Sequence, residues 1–195
     1  TINNITGLGY VFIKNNLFTF LFKLILKYSL LKSKAVIFQN NEDRKLFISN
    51  KICSFNQSDL IEGSGIDVNK YQFSPINQNN DYIFLFIGRL IKDKGIFEFL
   101  DVSNKFKNNN INAKFYIIGE IDSQYRNTKI NIETLKKYNV KYLGFVEEVT
   151  EYINYSNCVV LPSYREGLPM CLLEACAIGR PIVTTDVPGC RSVVI

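Results

Sequence analysis

From Tyr82 onward, apolar and polar positions alternate between two periods. The run Tyr82 to Ile87 is continuously apolar and predicts a strand buried on both faces. After it, Ile96, Phe99, Leu100, Ser103 and Phe106 recur at helical spacing, and Lys114 to Ile118 reads as a second strand. A helix is expected around Asn131 to Tyr138, a short strand over Val140 to Leu143, and a helix carrying Val149, Tyr152 and Ile153. Cys158 to Leu161 and Pro181 to Thr184 read as strands flanking one more helix that begins near Pro169. Strands and helices alternating at these lengths predict an α/β fold with a parallel, doubly wound sheet.

The earlier part of the chain has a different texture. Tyr10 to Lys34 is a long apolar run rich in Phe and Leu, broken by Lys14, Lys23, Lys27, Lys32 and Lys34. The lysines interrupt every window long enough to span a bilayer. Two readings stay open: a core helix with its lysines in water, or a basic, apolar face resting on a membrane surface. Ala35 to Phe38 then predicts a strand, and Asn40-Asn41-Glu42-Asp43 predicts a capped helix start with early negative charge. The polar run Ser74 to Asp81, with Pro75, Asn77, Asn79 and Asn80, predicts a linker. It divides the chain into a first domain over residues 1–73 and a second over residues 82–195.

Composition narrows the function classes. A chain of 195 residues, 47% of them hydrophobic, can bury a sizeable core. The net charge of +5 is mild, and no arginine-rich stripe argues for nucleic acid. An acidic ligand or an anionic surface suits it better. The absence of histidine excludes a histidine triad, general base or zinc ligand within these residues. Cys53, Cys158, Cys171, Cys176 and Cys190 lack paired metal spacing and read as reduced, mostly buried thiols of a cytosolic protein. The opening at Thr1 lacks the layout of a signal peptide, and the last residues fall where a helix is just beginning. Both observations predict a piece of a longer protein.

The segment Ser163 to Glu174 carries the most specific chemistry. Pro169 at a first helical position and Gly167 as a turn residue put Glu166 on a loop and Glu174 inside the helix. Amide groups at such a helix start favour a phosphate, and Glu174 can accept from ribose hydroxyls. Two glutamates at this spacing also arise by chance; their place after a buried strand is what favours the functional reading, because ligands of open α/β sheets bind at strand carboxyl ends. The loop Gly88 to Gly95 has the corresponding place after the first strand of the second domain. Arg89 offers a planar fork of donors for a diphosphate and Lys94 a movable charge, against the alternative of two solvated cations. The loop is neither a Walker loop nor a dinucleotide fingerprint. Glu120-Ile121-Asp122 superficially suggests a metal site but reads better as surface acids beside the Gly119 turn. Gly63-Ser64-Gly65-Ile66-Asp67 is either an ordinary glycine turn or a crevice loop.

In combination, Gly63 to Asp67, Gly88-Arg89-Leu90 with Lys94-Gly95, and Glu166 to Glu174 followed by Gly179-Arg180-Pro181-Ile182-Val183 resemble glycosyltransferase family 4. Weaker likeness lies in Thr6-Gly7-Leu8-Gly9 and in Pro188-Gly189-Cys190-Arg191, nearest to bacterial enzymes of capsule, lipopolysaccharide and lipid-linked oligosaccharide synthesis. The resemblance implies a GT-B fold with Rossmann-like domains, here a nearly complete C-terminal donor domain and the tail of the N-terminal acceptor domain. It implies a retaining hexosyl- or N-acetylhexosaminyltransferase that uses a UDP-sugar, needs no divalent metal or other cofactor, and acts on a lipid-linked or polysaccharide acceptor. The implied place is the cytoplasm, peripheral on the inner face of the cytoplasmic membrane. By the same resemblance Arg89, Lys94 and Glu166 are catalytic, with Glu166 and the backbone of Gly167 and Leu168 at the donor sugar. Gly88 and the amides of Met170 and Cys171 meet the phosphates, Val146 lines the base pocket, and Glu174 holds the ribose. Two departures stand out: Pro169 replaces a common glycine and removes an N–H, and Arg191 or Ser192 takes the place of a later acid. The rival readings are a non-catalytic nucleotide-binding module and a GT-B nucleotide-sugar epimerase, the latter lacking recognisable crevice acid-base residues.

Overall fold

The computed structural model describes residues 1–8, 12, 17–76, 82–122 and 130–194. Its contacts divide into two units. The first comprises residues 1–65, 165–169 and 186–195, the second residues 66–164 and 170–185. The division therefore falls after Gly65 rather than in the expected linker, of which residues 77–81 lie outside the described residues. The reason is that residues 66–76 are fastened to the second unit. Ser74 N donates to the Ile178 carbonyl (3.1 Å), and the buried Arg180 guanidinium donates to the carbonyls of Ser74 (2.8 Å) and Ile153 (3.1 Å).

The first unit holds a parallel three-stranded sheet in the order β1 (Ile2–Ile5), β2 (Ala35–Phe38), β3 (Ser58–Leu60). Between β1 and β2 runs α1 (Leu17–Leu30), and α2 (Asn41–Ser49) follows β2. As expected, Asn40 caps α2, its side chain accepting from Asp43 N at 2.8 Å. Leu30, Val36, Phe38, Phe47 and Ile52 form the core. The long apolar run behaves unlike a core helix: within α1 only Thr19 and Leu30 are buried, while Leu17, Phe18, Phe20, Leu21, Ile25 and Tyr28 are exposed. Gly9 and residues 10, 11 and 13–16 of that stretch lie outside the described residues.

The second unit contains β4 (Tyr82–Ile87), α3 (Ile96–Asn108), β5 (Ala113–Ile118), α4 (Ile132–Leu135), β6 (Lys141–Tyr142), α5 (Thr150–Tyr155), β7 (Cys158–Leu161), α6 (Met170–Ile178) and β8 (Ile182–Thr184). All five strands are parallel, in the order β6-β5-β4-β7-β8. This is the doubly wound, Rossmann-like sheet expected, with the apolar run of β4 at its centre. Phe84 and Phe115 stack across β4 and β5 (5.1 Å between centroids), and Phe86 packs on Phe99 of α3 (5.6 Å). Strand order reverses between β4 and β7, and a crevice for ligands opens at such a point outside the strand carboxyl ends.

Candidate functional site

In the second unit, the loops leaving the strands at this end are stitched together by backbone. Gly88 N donates to the Ile118 carbonyl (2.9 Å) and Leu90 N to that of Glu120 (2.8 Å), which ties the loop after β4 to the one after β5. The two backbones come so close that a Cβ on Gly119 would sit 1.9 Å from the Gly88 oxygen. Gly119 N in turn donates to the Gly144 carbonyl (2.9 Å), joining the loop that carries Phe145 and the half-buried Val146. On the other side, the Asp93 carbonyl accepts from both Tyr164 N (2.9 Å) and Ser163 Oγ (3.0 Å), fastening the loop after β4 to the one after β7. Gly95, at φ 75°, permits this closure: a Cβ there would lie 2.0 Å from the Pro162 oxygen.

On this frame, Arg89 is exposed and pairs with Asp122 across 3.4 Å. The acid read as part of a surface cluster is thus the partner of the diphosphate candidate. Among the described residues no cluster of three metal-ligating side chains occurs. Lys94 is half-buried and closes a 3-10 turn over Lys92–Lys94 just before α3. Helix α6 opens on Met170 and Cys171, directly after Pro169, as the proline predicts. Glu174 lies half-buried in it, and burial pushes its carboxyl pKa up, opposed by a hydrogen bond from Tyr71. Tyr71 Oη donates to Glu174 Oε1 at 3.0 Å. Beside it, Lys70 Nζ lies 5.2 Å from the Tyr71 ring centroid and pairs with Glu148 at 2.8 Å. Hydrogen bonds from Lys70 and Thr150 bring the Glu148 pKa down to about 2.

Lys70, Tyr71 and Glu148 were not singled out from sequence. They lie in irregular segments without periodicity; the pointers in the sequence are the nearness of Lys70 and Tyr71 to Gly65-Ile66-Asp67 and of Glu148 to Val146. Asp67 builds a turn there, its carbonyl accepting from Lys70 N (3.1 Å) and Tyr71 N (3.0 Å).

Glu166, Gly167 and Leu168 belong to the first unit. The chain bends at Gly167 as expected, but the residue does not occupy the left-handed region. What requires glycine is space: a Cβ would sit 1.7 Å from the Thr6 oxygen and 2.6 Å from Gln39 Oε1. Asn40, beyond its capping role, donates through Nδ2 to the Gly167 carbonyl (3.1 Å) and to Asp43 Oδ2 (3.1 Å). Asp43, 1% exposed, also pairs with Arg165; burial raises its pKa, and Arg165 and Asn40 oppose the rise. Glu166 is buried between these anchored neighbours. Gly63, at φ 72°, makes room for Leu168, whose Cδ2 would meet a Cβ at 2.1 Å. Arg191, one of the two residues at the position where the resemblance expects an acid, pairs with Glu42 and Asp186.

Residues 67–195 match the sequence profile of the family described as glycosyl transferases group 1. The chain belongs to this family. Among curated group 1 glycosyltransferase relatives, it is 29% identical over 202 residues to the N,N'-diacetylbacillosaminyl-diphospho-undecaprenol alpha-1,3-N-acetylgalactosaminyltransferase of Campylobacter jejuni, covering 95% of this chain and 52% of that protein. It is 29% identical over 168 residues to the UDP-Gal:alpha-D-GlcNAc-diphosphoundecaprenol alpha-1,3-galactosyltransferase of Escherichia coli, covering 77% and 42%. The chain spans about half the length of these relatives. Among solved structures, Anabaena Alr3699/HepE in complex with UDP and glucose superposes with a TM-score of 0.72 at 18% identity, over 89% of this chain and 51% of that one. Sucrose-phosphate synthase from Thermosynechococcus elongatus superposes with a TM-score of 0.77 at 22% identity, over 100% and 52%. The fold is of the GT-B type.

Proposed function

We propose that the protein to which this chain belongs is a retaining glycosyltransferase that moves a hexosyl or N-acetylhexosaminyl group from a UDP-sugar to a lipid-linked or polysaccharide acceptor in cell-envelope glycan synthesis. The observation that carries the reading is the backbone stitching of the loops after β4, β5, β6 and β7 at the strand-order reversal, with Arg89, Lys94 and the start of α6 in those loops or next to them. The Campylobacter and Escherichia relatives, both named for diphospho-undecaprenol acceptors, support a lipid-linked acceptor.

In this reading Arg89 and Lys94, with Gly88 and the amides of Met170 and Cys171, take the diphosphate, and their positive charge stabilises it as it departs. That charge does the work a divalent metal would otherwise do. Glu174 takes the ribose, Val146 and its neighbours the uracil, and Glu166 with the backbone of Gly167 and Leu168 the donor sugar. Calorimetric titration of UDP into this chain in the presence of EDTA tests the proposal. Saturable binding that chelation leaves unchanged, with GDP binding weaker, is the expected result. Binding that requires added magnesium would overturn the metal-free mechanism, and no UDP binding by the folded chain would overturn the nucleotide site.

The proposed place of action is the inner face of the cytoplasmic membrane, bound peripherally. Its support is α1, which exposes Phe18, Phe20, Leu21, Ile25 and Tyr28 beside Lys23 and Lys27. No helix among the described residues is long and apolar enough to cross a membrane. Such a face binds by apolar insertion plus attraction to anionic headgroups, each lysine near the surface adding about 1 kcal/mol. Co-sedimentation with vesicles is therefore expected to rise with anionic lipid content and to fall with salt, and to drop in a Lys23→Gln/Lys27→Gln variant. Binding indifferent to lipid charge would count against it.

A further inference from the structure

We propose that Tyr71 is a positioning residue of the nucleotide site, holding the Glu174 carboxylate so that it reads the vicinal diol of a ribose; the inference rests on the nucleotide reading above. The segment that carries Tyr71 lies along α6. Ser74 N is bonded to the Ile178 carbonyl, the Phe73 ring fills the space over Gly179, where a Cβ would lie 2.6 Å from it, and Arg180 grips the Ser74 carbonyl. Tyr71 is thereby presented to Glu174, about one turn from either end of α6. A carboxylate on a glutamate stem rotates broadly about its last torsion, so a free Glu174 would offer its two oxygens in many orientations. The phenol, with a single proton given to Oε1 at 3.0 Å, removes that freedom.

The proton count makes the pair selective. With Oε1 engaged by the phenol, Oε2 and the Tyr71 oxygen, which also accepts from Lys70 and keeps one lone pair, are neighbouring acceptors, and neither brings a proton of its own to a ligand. Two adjacent hydroxyls, each donating, satisfy them together, whereas a deoxyribose supplies one donor and leaves the other acceptor without a partner. Lys70, lying over the Tyr71 ring and paired with Glu148, ties this reader to the segment just after Val146. The phenol's selectivity therefore extends a site whose residues were read individually from the sequence.

The test is calorimetric titration of UDP and 2′-deoxy-UDP into the wild-type chain and the Tyr71→Phe variant. The substitution removes one oxygen, with its hydrogen bonds to Glu174 and Lys70, and leaves the ring under the Lys70 ammonium and the contacts of Phe73 and Ser74 with α6 in place, so the fold is retained. Wild type is expected to prefer UDP over 2′-deoxy-UDP by roughly tenfold, the worth of one hydrogen bond to a charged acceptor. In Tyr71→Phe that preference should shrink to about twofold, with affinity for 2′-deoxy-UDP nearly unchanged. If Tyr71→Phe keeps the wild-type preference, or weakens both ligands equally, Tyr71 only fastens its segment to α6 and the inference falls while the nucleotide site stands. If wild type binds neither ligand, the nucleotide reading itself fails and takes this inference with it.

Discussion

Glu174→Ala is expected to lower UDP affinity on the order of 100-fold, and Arg89→Ala roughly 30-fold, in calorimetric titrations without added metal. The estimates follow from hydrogen bonds to charged groups at about 1.5–3 kcal/mol each, one to the diphosphate for Arg89 and one from the ribose for Glu174. The Glu174 result separates binding from folding. Its folded pKa is raised above the ordinary 4.5 because burial penalises the ionised form. Its contribution to stability is therefore fully present below about 4.5 and is lost as pH rises through the folded value. Removing a carboxylate that is costly at neutral pH should leave the thermal midpoint close to wild type. UDP binding has the opposite slope, since ribose hydroxyls donate to the ionised carboxylate. Affinity should weaken on acidification from above the ordinary carboxylate range, and that limb should vanish in Glu174→Ala. Wild-type affinity in either variant would remove that residue from the nucleotide site.

Gly95→Ala should be among the most damaging glycine substitutions in the second unit. An alanine at φ 75° costs about 1–2 kcal/mol, and overlap with the Pro162 carbonyl, 2.0 Å from the new Cβ, adds about 1–3 kcal/mol in backbone displacement. The sum is a large part of the stability of an ordinary domain, about 5–15 kcal/mol. Gly144→Ala is the matched control. Its φ of 77° is nearly the same, but no atom lies within 4 Å of the added Cβ. Urea unfolding should therefore show a loss of about 1–2 kcal/mol for Gly144→Ala and at least about 1 kcal/mol more for Gly95→Ala. Equal losses would mean that the approach of Gly95 to Pro162 relaxes at no cost. Because Lys94 immediately precedes Gly95 and Asp93 anchors Ser163 and Tyr164, the Gly95 variant should also weaken UDP binding at temperatures where it remains folded.

Legibility differed between the two halves of the chain for identifiable reasons. The strands β4, β5 and β7 coincide closely with the apolar runs that predict them, because central strands of a parallel sheet are covered on both faces and mostly apolar, the exposed Lys114 near the start of β5 being the exception. The helix expected over Asn131 to Tyr138 is only Ile132–Leu135, and the strand expected over Val140 to Leu143 is two residues long. Both stand near the sheet edge, where fewer neighbours enforce a regular backbone. The linker composition of Ser74 to Asp81 did not mark the division, because contacts of Tyr71, Phe73 and Ser74 with α6 outweigh local polarity. The apolar positions of α1 did not translate into burial, since periodicity reports which side chains share a face but not what that face meets.

By itself, the sequence determined the parallel α/β architecture, the helix start at Pro169 and the presence of Arg89, Lys94, Glu166 and Glu174 in loops and helices that follow buried strands. These depend on local period and on residues whose backbone preferences act within a few positions. Only the tertiary structure decided that Gly167 is required by the approach of Thr6, that Gly95 and Gly119 let neighbouring loops touch, and that Asn40 and Asp43 hold the segment bearing Glu166. It alone brought Tyr71 to Glu174 and Asp122 to Arg89. These are contacts between residues distant in sequence. A hydrogen bond or a close approach of that kind depends on how elements pack, and leaves no periodic trace in either segment.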